Sequence, residues 1–270
     1  MFRIGNREFD TEGHTYIMGI LNVTPDSFYD GGRYADADAA CFRAEQMIRD
    51  GADIIDIGGE STRPGYERVS EAEETDRVVP VIEKLRQNFD ISISIDTYKY
   101  AVAKEALGAG AGMLNSIWGF RDDVRLAELA ARTGSSVCLM HNRKEPVKDD
   151  GSFMRTVIDE IRADIDVASE YGIQKNKIMI DPGVGFGKTY EQNILVIKNI
   201  AELVRLGFPV LMAASNKSVI GLTLDTPVDE REEGTLAVSV YSAIQGCAFV
   251  RVHDVRKNAL ALKMYDALRI

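Results

Sequence analysis

Eight short apolar segments alternate with longer amphipathic ones along this 270-residue chain, and that rhythm constrains the fold more than any other feature. The strand-like segments are 16–22, 54–58, 91–96, 113–117, 137–141, 178–181, 210–215 and 249–253. Several are rich in β-branched residues, as expected of strands buried on both faces. Helical patterns fill the gaps. Ser70-Glu-Ala-Glu73 reads as a capping box, with Val78, Ile82 and Leu85 as the apolar stripe behind it. Residues 35–50, 153–171 and 233–245 run as helices into Gly51, Gly172 and Gly246. Repeated strand–helix alternation implies right-handed crossovers, and closing them into a barrel is the simplest solution. A doubly wound open sheet has no need of eight units of such even size. The length also suits a (β/α)₈ barrel, typically about 250 residues. The expectation is one α/β domain over 1–270, a TIM barrel with its active site at the C-terminal strand ends. Residues 1–14 form a lead-in, with a short hairpin turning at Gly5-Asn6.

Charge narrows the partners. With 42 acidic against 32 basic residues the net charge is −10, whereas nucleic-acid binding calls for a basic field. An anionic substrate must then be held by a local basic pocket against the long-range field. Cys41, Cys138 and Cys247 are far apart and odd in number, so they read as small buried apolar residues rather than disulfides or zinc ligands. No basic-then-apolar leader and no apolar run near the ~20 residues of a membrane span occurs, so a cytosolic protein is expected.

The unusual polar residues fall where strands end. Asn22, Asp96, Asn115, His141, Asp181, the run Ser215-Asn216-Lys217, and Arg251 with His253 close seven of the eight segments. The remaining one opens into Gly58-Gly-Glu-Ser-Thr-Arg-Pro-Gly65. Any one of these is more simply a helix cap or loop hydrogen bond. Seven on one barrel face point to a polar site. Asp96 and Asp181 follow Ile-Ser-Ile-Ser-Ile and Ile-Met-Ile, so both should be shielded, and a shielded carboxylate needs donors or a cation. A flat heterocycle with adjacent N–H groups supplies paired donors, and Asn115 can both donate to and accept from such a ring. Lys217, Arg251, His253 and Arg63 suit phosphate or carboxylate. The pattern suggests a heterocycle on the floor and an anion at the rim.

Rival motifs are weaker. The run Gly183-Val-Gly-Phe-Gly-Lys188-Thr189 fails the phosphate-loop spacing, because Pro182 stands where glycine is needed, and it fails the dinucleotide fingerprint. Its glycines are expected in a loop with unusual backbone angles. The three histidines, His14, His141 and His253, lack zinc spacing. There is no G-x-S-x-G elbow.

At these residues the chain closely resembles the dihydropteroate synthases. The blocks are Met18-Gly-Ile-Leu-Asn22-Val-Thr-Pro-Asp-Ser-Phe28-Tyr-Asp-Gly-Gly32, Asp56-Ile-Gly-Gly-Glu-Ser-Thr-Arg-Pro-Gly65, Ile95-Asp96-Thr97, Asp181-Pro-Gly-Val-Gly-Phe-Gly-Lys188, Asn216-Lys-Ser218 and Arg251-Val-His-Asp254. They run from residue 18 to 254. The resemblance implies a transferase that joins 6-hydroxymethyl-7,8-dihydropterin pyrophosphate to p-aminobenzoate through a C–N bond, releasing pyrophosphate, in folate biosynthesis. It implies that Asp96, Asn115, Asp181 and Lys217 bind the pterin ring. Asn22, Arg63, Arg251 and His253 would handle the pyrophosphate, Asn22 helping to place Mg²⁺. Thr62, Pro64, Phe186 and Ser218 would form much of the p-aminobenzoate pocket, the target of sulfonamides. Asp96, Asp181, Lys217 and Arg251 would carry catalysis. The loops after the first two strands resemble mobile lids, and a homodimer through the last helices, with Met264 and Leu268 as candidates, is also implied.

Two positions depart from the family pattern. Asn115-Ser116 stands where Asn-Asp is usual, and Ser215-Asn216-Lys217-Ser218 where Ser-Arg-Lys-Ser is frequent. Together they remove one negative and one positive charge. A folate-dependent methyltransferase shares such a floor but gives no reason to keep Ser-Thr-Arg-Pro-Gly. A catalytically silent pterin-binding protein is the reading from a different class.

Overall fold

The computed structural model describes residues 1–24, 33–60, 68–148 and 151–269, with the backbone alone for 33–36. The expected lids fall largely on 25–32 and 61–67, outside the described residues.

The chain opens with strands β1 (Phe2–Ile4) and β2 (Arg7–Phe9), an antiparallel hairpin turning at Gly5-Asn6 as expected. The repeating units follow: β3 (Tyr16–Asn22), α1 (Arg33–Asp50), β4 (Ile54–Gly58), α2 (Glu71–Asn88), β5 (Ser92–Asp96), α3 (Tyr100–Gly108), β6 (Met113–Ser116) and α4 (Arg125–Thr133). The second half runs β7 (Ser136–Met140), α5 (Phe153–Glu170), β8 (Ile178–Asp181), α6 (Tyr190–Lys198), α7 (Ala201–Val204), β9 (Leu211–Met212), α8 (Ser218–Leu224), α9 (Glu232–Ile244), β10 (Phe249–Val252) and α10 (Val255–Leu268). The parallel strands lie in the order β8-β7-β6-β5-β4-β3-β10-β9. A parallel bridge between Ile180 and Val210, with Ile180 N donating to Pro209 O at 3.0 Å, closes the ring. The (β/α)₈ expectation holds.

Local chemistry sets the element ends. Ser70 Oγ accepts from Glu73 N at 3.2 Å and starts α2. A two-way capping box stands instead at α6, where Thr189 and Gln192 cap each other. The seventh barrel strand is shorter than its 210–215 pattern. After Met212 the backbone turns, with Lys217 N donating to Ala214 O at 3.1 Å, so residues 213–217 line the mouth rather than extend the ladder.

Two cores result. One lies between barrel and helices; the other fills the lower barrel with Met18, Ile54, Met113, Cys138, Met179, Leu211 and Phe249. The hairpin plugs that end: Phe2, Ile4 and Phe9 are buried there, and Phe249 meets Phe2 and Phe9 edge-on at 5.6 and 5.5 Å. Each such ring contributes about 1.5–3 kcal/mol by leaving water. All three cysteines are buried and unpaired, as the sequence suggests. Among the described residues no helix is long and apolar enough to cross a membrane.

Candidate active site

Side chains on a strand alternate, so a residue two positions on faces the same way. In this barrel that step changes the chemistry. From the apolar lower layer, Ile54 leads to Asp56, Met113 to Asn115, Met179 to Asp181 and Phe249 to Arg251; Ser94 leads likewise to Asp96. The upper interior is therefore polar, and it lies at the C-terminal strand ends.

The floor is a continuous hydrogen-bonded chain. Arg251 donates through Nε to Asp56 Oδ2 at 2.6 Å and through Nη2 to Asp96 Oδ2 at 2.7 Å. Asn115 Nδ2 donates to the same Asp56 oxygen at 3.1 Å. Asp56 is fully buried, and its Oδ1 has no hydrogen-bond partner among the described residues. Burial pushes the Asp96 carboxyl up to about 7, against the pull of the Arg251 guanidinium and with a further push from the Asp56 carboxylate. Arg251, between two carboxylates, is raised above its ordinary range.

Across the barrel, Asp181 Oδ1 accepts from Gly183 N at 2.6 Å. Burial raises this carboxyl; the Lys217 ammonium and the Gly183 N–H oppose the rise. Lys217 donates from Nζ to Val184 O at 2.5 Å and lies 4.6 Å from the centre of the Phe186 ring. Burial brings Lys217 down to about 8, with Asp181 resisting. The mouth thus holds two acids that resist ionising and one base that gives up its proton readily.

The loop after β8 explains its glycines. Gly183, Gly185 and Gly187 all have positive φ, 68°, 85° and 54°. A Cβ on Gly183 would sit 1.8 Å from His141 O, and one on Gly187 2.2 Å from Arg143 O. The glycines have the unusual backbone angles expected of them, and the run is a close backbone crossing over the end of β7. Lys188 holds the crossing, its Nζ reaching Gly183 O at 2.9 Å, Phe186 O at 3.1 Å and His141 Nδ1 at 2.9 Å. His141 is fully buried, with Nε2 3.0 Å from Glu160. Its part is to support the loop, the blander of the two readings open to it.

At the rim, Ser215 Oγ and His253 Nδ1 lie 2.9 Å apart. Asn22 ends β3 half-buried; a Cβ on neighbouring Gly58 would lie 3.7 Å from its Oδ1 and 3.8 Å from Asp96 Cβ. Ser218 starts α8 exposed. Thr62, Arg63 and Pro64 lie outside the described residues. The structure brings Asp96, Asn115 and Arg251 together on one side, and Asp181, Lys217 and Phe186 on the other. At the departure at 216, Asn216 has φ 57°, a left-handed conformation that asparagine tolerates. Its N–H donates to Thr235 Oγ1 at 3.2 Å and its carbonyl accepts from Arg231 at 3.0 Å. These contacts tie it to α9. Ser116 is buried at the end of β6.

Asp56 is the site residue that sequence reasoning passed over. The signal was a carboxylate inside Ile54-Ile-Asp-Ile57, an apolar strand with no other charge. Among the described residues no group of three His, Cys, Asp or Glu side chains is placed to hold a metal. One amide oxygen, Asn22 Oδ1, fits a cation that arrives on a diphosphate, since Mg²⁺ commonly keeps several waters and takes substrate phosphates as ligands.

Comparison with known proteins agrees with this geometry. The pterin binding enzyme family matches residues 18–253. A dihydropteroate synthase of Clostridium beijerinckii is 49% identical over 267 residues, 98% of either chain. The crystal structure of the Clostridium difficile dihydropteroate synthase in the presence of pteroic acid is similar at TM-score 0.93 and 49% identity, covering 97% of this chain and 99% of that one. The Yersinia pestis synthase, solved with a sulfonamide drug complex, is similar at TM-score 0.91 and 41% identity, covering 99% and 98%.

Proposed function

The chain belongs to the pterin-binding enzymes, and from that premise we propose that it acts as a dihydropteroate synthase, a transferase that condenses 6-hydroxymethyl-7,8-dihydropterin pyrophosphate with p-aminobenzoate. The observation that carries the site assignment is the Asn115–Asp56–Arg251–Asp96 chain at the strand ends, facing Asp181 and Lys217.

The pterin ring is the partner this floor suits. Its adjacent ring and exocyclic N–H groups suit the Asp181 carboxylate, and its ring acceptors suit the donors of Asn115 and Lys217. Asp96 sits where positive charge on the reacting methylene would be felt. Leaving-group departure costs least when the diphosphate is met by cations. Arg63 and His253, with Arg251 rising from the floor, are the residues for that task. Bound beside Asn22, Mg²⁺ would neutralise part of the diphosphate charge. The course is SN1-like: the C–O bond breaks with its electron pair leaving on pyrophosphate. The amine of p-aminobenzoate then attacks the methylene and loses a proton. An aniline is nucleophilic without a strong base. Phe186, Ser218, Thr62 and Pro64 would hold it, and a sulfonamide would compete there, in keeping with the drug-bound Yersinia relative.

Two further expectations belong to this reading. A homodimer through the last helices is supported by apolar side chains left exposed on α9 and α10: Ile244, Leu260, Met264 and Leu268. A cytosolic location suits a folate-pathway enzyme. The test mixes protein, pterin pyrophosphate, p-aminobenzoate and Mg²⁺ and follows both products. Equal amounts of pyrophosphate and dihydropteroate are expected. Pterin bound with neither product formed would overturn the assignment.

A further inference from the structure

Phe186 sits between Gly185 and Gly187, both at positive φ. Glycine restrains a chain least, so a ring carried between two of them takes its place from outside ties. The first half of the loop has anchors of its own. Asp181 lies in β8, where its carbonyl accepts from His141 N at 2.9 Å, and the Val184 side chain is fully buried in the core between barrel and helices. Phe186 is half-buried and takes no part in that core.

Lys188 supplies the tie. Its Nζ lies 2.9 Å from Gly183 O and 3.1 Å from Phe186 O, and Gly183 O also accepts from Phe186 N at 3.1 Å. One amine thus closes the turn at both ends. The same nitrogen lies 2.9 Å from His141 Nδ1 and 3.3 Å from His141 O, which joins the turn to the end of β7. A separate bond, Gly185 N to Asn193 Oδ1 at 2.6 Å, comes from α6. Burial brings Lys188 down to about 7, with Asp181 resisting. The turn is served in either protonation state. The ammonium donates to His141 Nδ1, the free amine accepts from Nδ1–H, and both keep two N–H groups for Gly183 O and Phe186 O. Without that nitrogen the converging carbonyls of 141, 183 and 186 lose their common donor, and a shielded carbonyl without one is costly. The carbonyl free to turn away is that of Phe186, since Gly183 stands between two anchored residues and His141 follows β7 directly.

We propose that Lys188 is a positioning residue for the condensation: through the Phe186 carbonyl it fixes the ring against which p-aminobenzoate packs, beside Lys217. The proposal rests on the synthase reading. Lys188 acts through the turn rather than on substrate. Its loss should therefore weaken p-aminobenzoate handling and spare the pterin ring, whose ligands Asp96, Asn115 and Asp181 are held by the strand ladder.

The experiment measures steady-state turnover of wild type, Lys188→Met, Phe186→Ala and the double variant, with 6-hydroxymethylpterin binding as an independent readout. Lys188→Met is expected to raise KM for p-aminobenzoate by about tenfold, the upper scale of one aromatic contact. Affinity for 6-hydroxymethylpterin should stay within about twofold of wild type. If Lys188 works through Phe186, the two losses share one cause, so Lys188→Met should add less than about twofold to the KM of Phe186→Ala. A general loosening of the fold would instead multiply the two effects, and that result would overturn the proposal. So would an unchanged KM in a folded Lys188→Met protein, or equal losses for pterin and p-aminobenzoate. If Lys188→Met does not fold, Lys188→Gln takes its place in the same cycle; its shorter side chain keeps two N–H donors, and a KM rise of about threefold is expected. Failure of both to fold would make Lys188 a folding element and overturn the proposal too. Wild-type turnover in the same assay separates a failure here from a failure of the synthase reading.

Discussion

Asp56 is the sharpest place to test the physics of the site, because it holds both Arg251 and Asn115 and is fully buried. Replacing it with asparagine keeps the shape and removes one charge. The carboxylates of Asp56 and Asp96 accept from one guanidinium at 2.6 and 2.7 Å. At a separation of roughly 5–6 Å and an effective dielectric of about 20, they repel by about 3 kcal/mol. That repulsion is one reason the Asp96 carboxyl stands at about 7. Asp56→Asn relieves it and leaves Arg251 to Asp96 alone, so both changes favour ionised Asp96. If pterin binding needs ionised Asp96, the acid limb of 6-hydroxymethylpterin affinity should move to lower pH by one to two units, at about 1.4 kcal/mol per unit. Titration between pH 5 and 9 in wild type and variant reads this, and the ligand's own protonation cancels in the difference. Stability should move the other way. Replacing the carboxylate acceptor of two bonds by an amide oxygen costs about 1–2 kcal/mol, a fall of about 2–6 °C in Tm for a chain of this size. Asp56→Ala, which strands Asn115 and half of the guanidinium, should cost about 3–5 kcal/mol. An acid limb that stays in place, or shifts upward, would refute the coupling of Asp56 to Asp96.

Three further outcomes follow from the same structure. Lys217→Ala should abolish dihydropteroate formation while leaving Tm within a few degrees, because it removes one carbonyl contact and one ring contact, about 1–2 kcal/mol together; full retained activity would remove Lys217 from the site. Gly183→Ala should prevent the loop crossing, with its Cβ 1.8 Å from His141 O, and show as loss of pterin binding with a Tm lower by many degrees, whereas a silent substitution would contradict the crossing. Asp96→Asn should flatten part of the pH dependence of stability. The folded-state carboxyl at about 7 is raised above its unfolded value near 4, so the folded state binds the extra proton and wild type loses stability relative to the variant as pH rises from about 4 to 7, by at most about 1.4 kcal/mol per unit. Paired denaturant curves would show a constant difference if Asp96 were ordinary.

The fold was legible because burial on both faces leaves a plain mark. β3, β4 and β8 begin and end where their apolar patterns do. β9 was overrun because Ala213 and Ala214 remain apolar after the backbone has left the ladder; composition records burial, and burial continued past the strand. The site was legible where polar residues terminate strands, as with Asp96, Asn115 and Asp181. His141 obeyed the same rule and went elsewhere, because its position at the strand end says nothing of which way the next loop crosses it. Asp56 went unremarked for the opposite reason. It lies mid-strand, where the eye for strand ends does not look, and only the meeting of inner side chains from β4, β6 and β10 shows that one carboxylate serves two donors.

That meeting of side chains also bears on how a barrel tolerates so much buried charge. The lower interior is apolar and sealed by the hairpin, so the strands are registered by contacts that owe nothing to the site. On a frame fixed in that way, Arg251 is held in place to meet Asp56 and Asp96, and the good geometry of its two bonds offsets part of the desolvation that a buried ion pair costs. Substitutions in the apolar layer, such as Met113→Ala below Asn115, should for this reason loosen the floor above before they loosen the barrel.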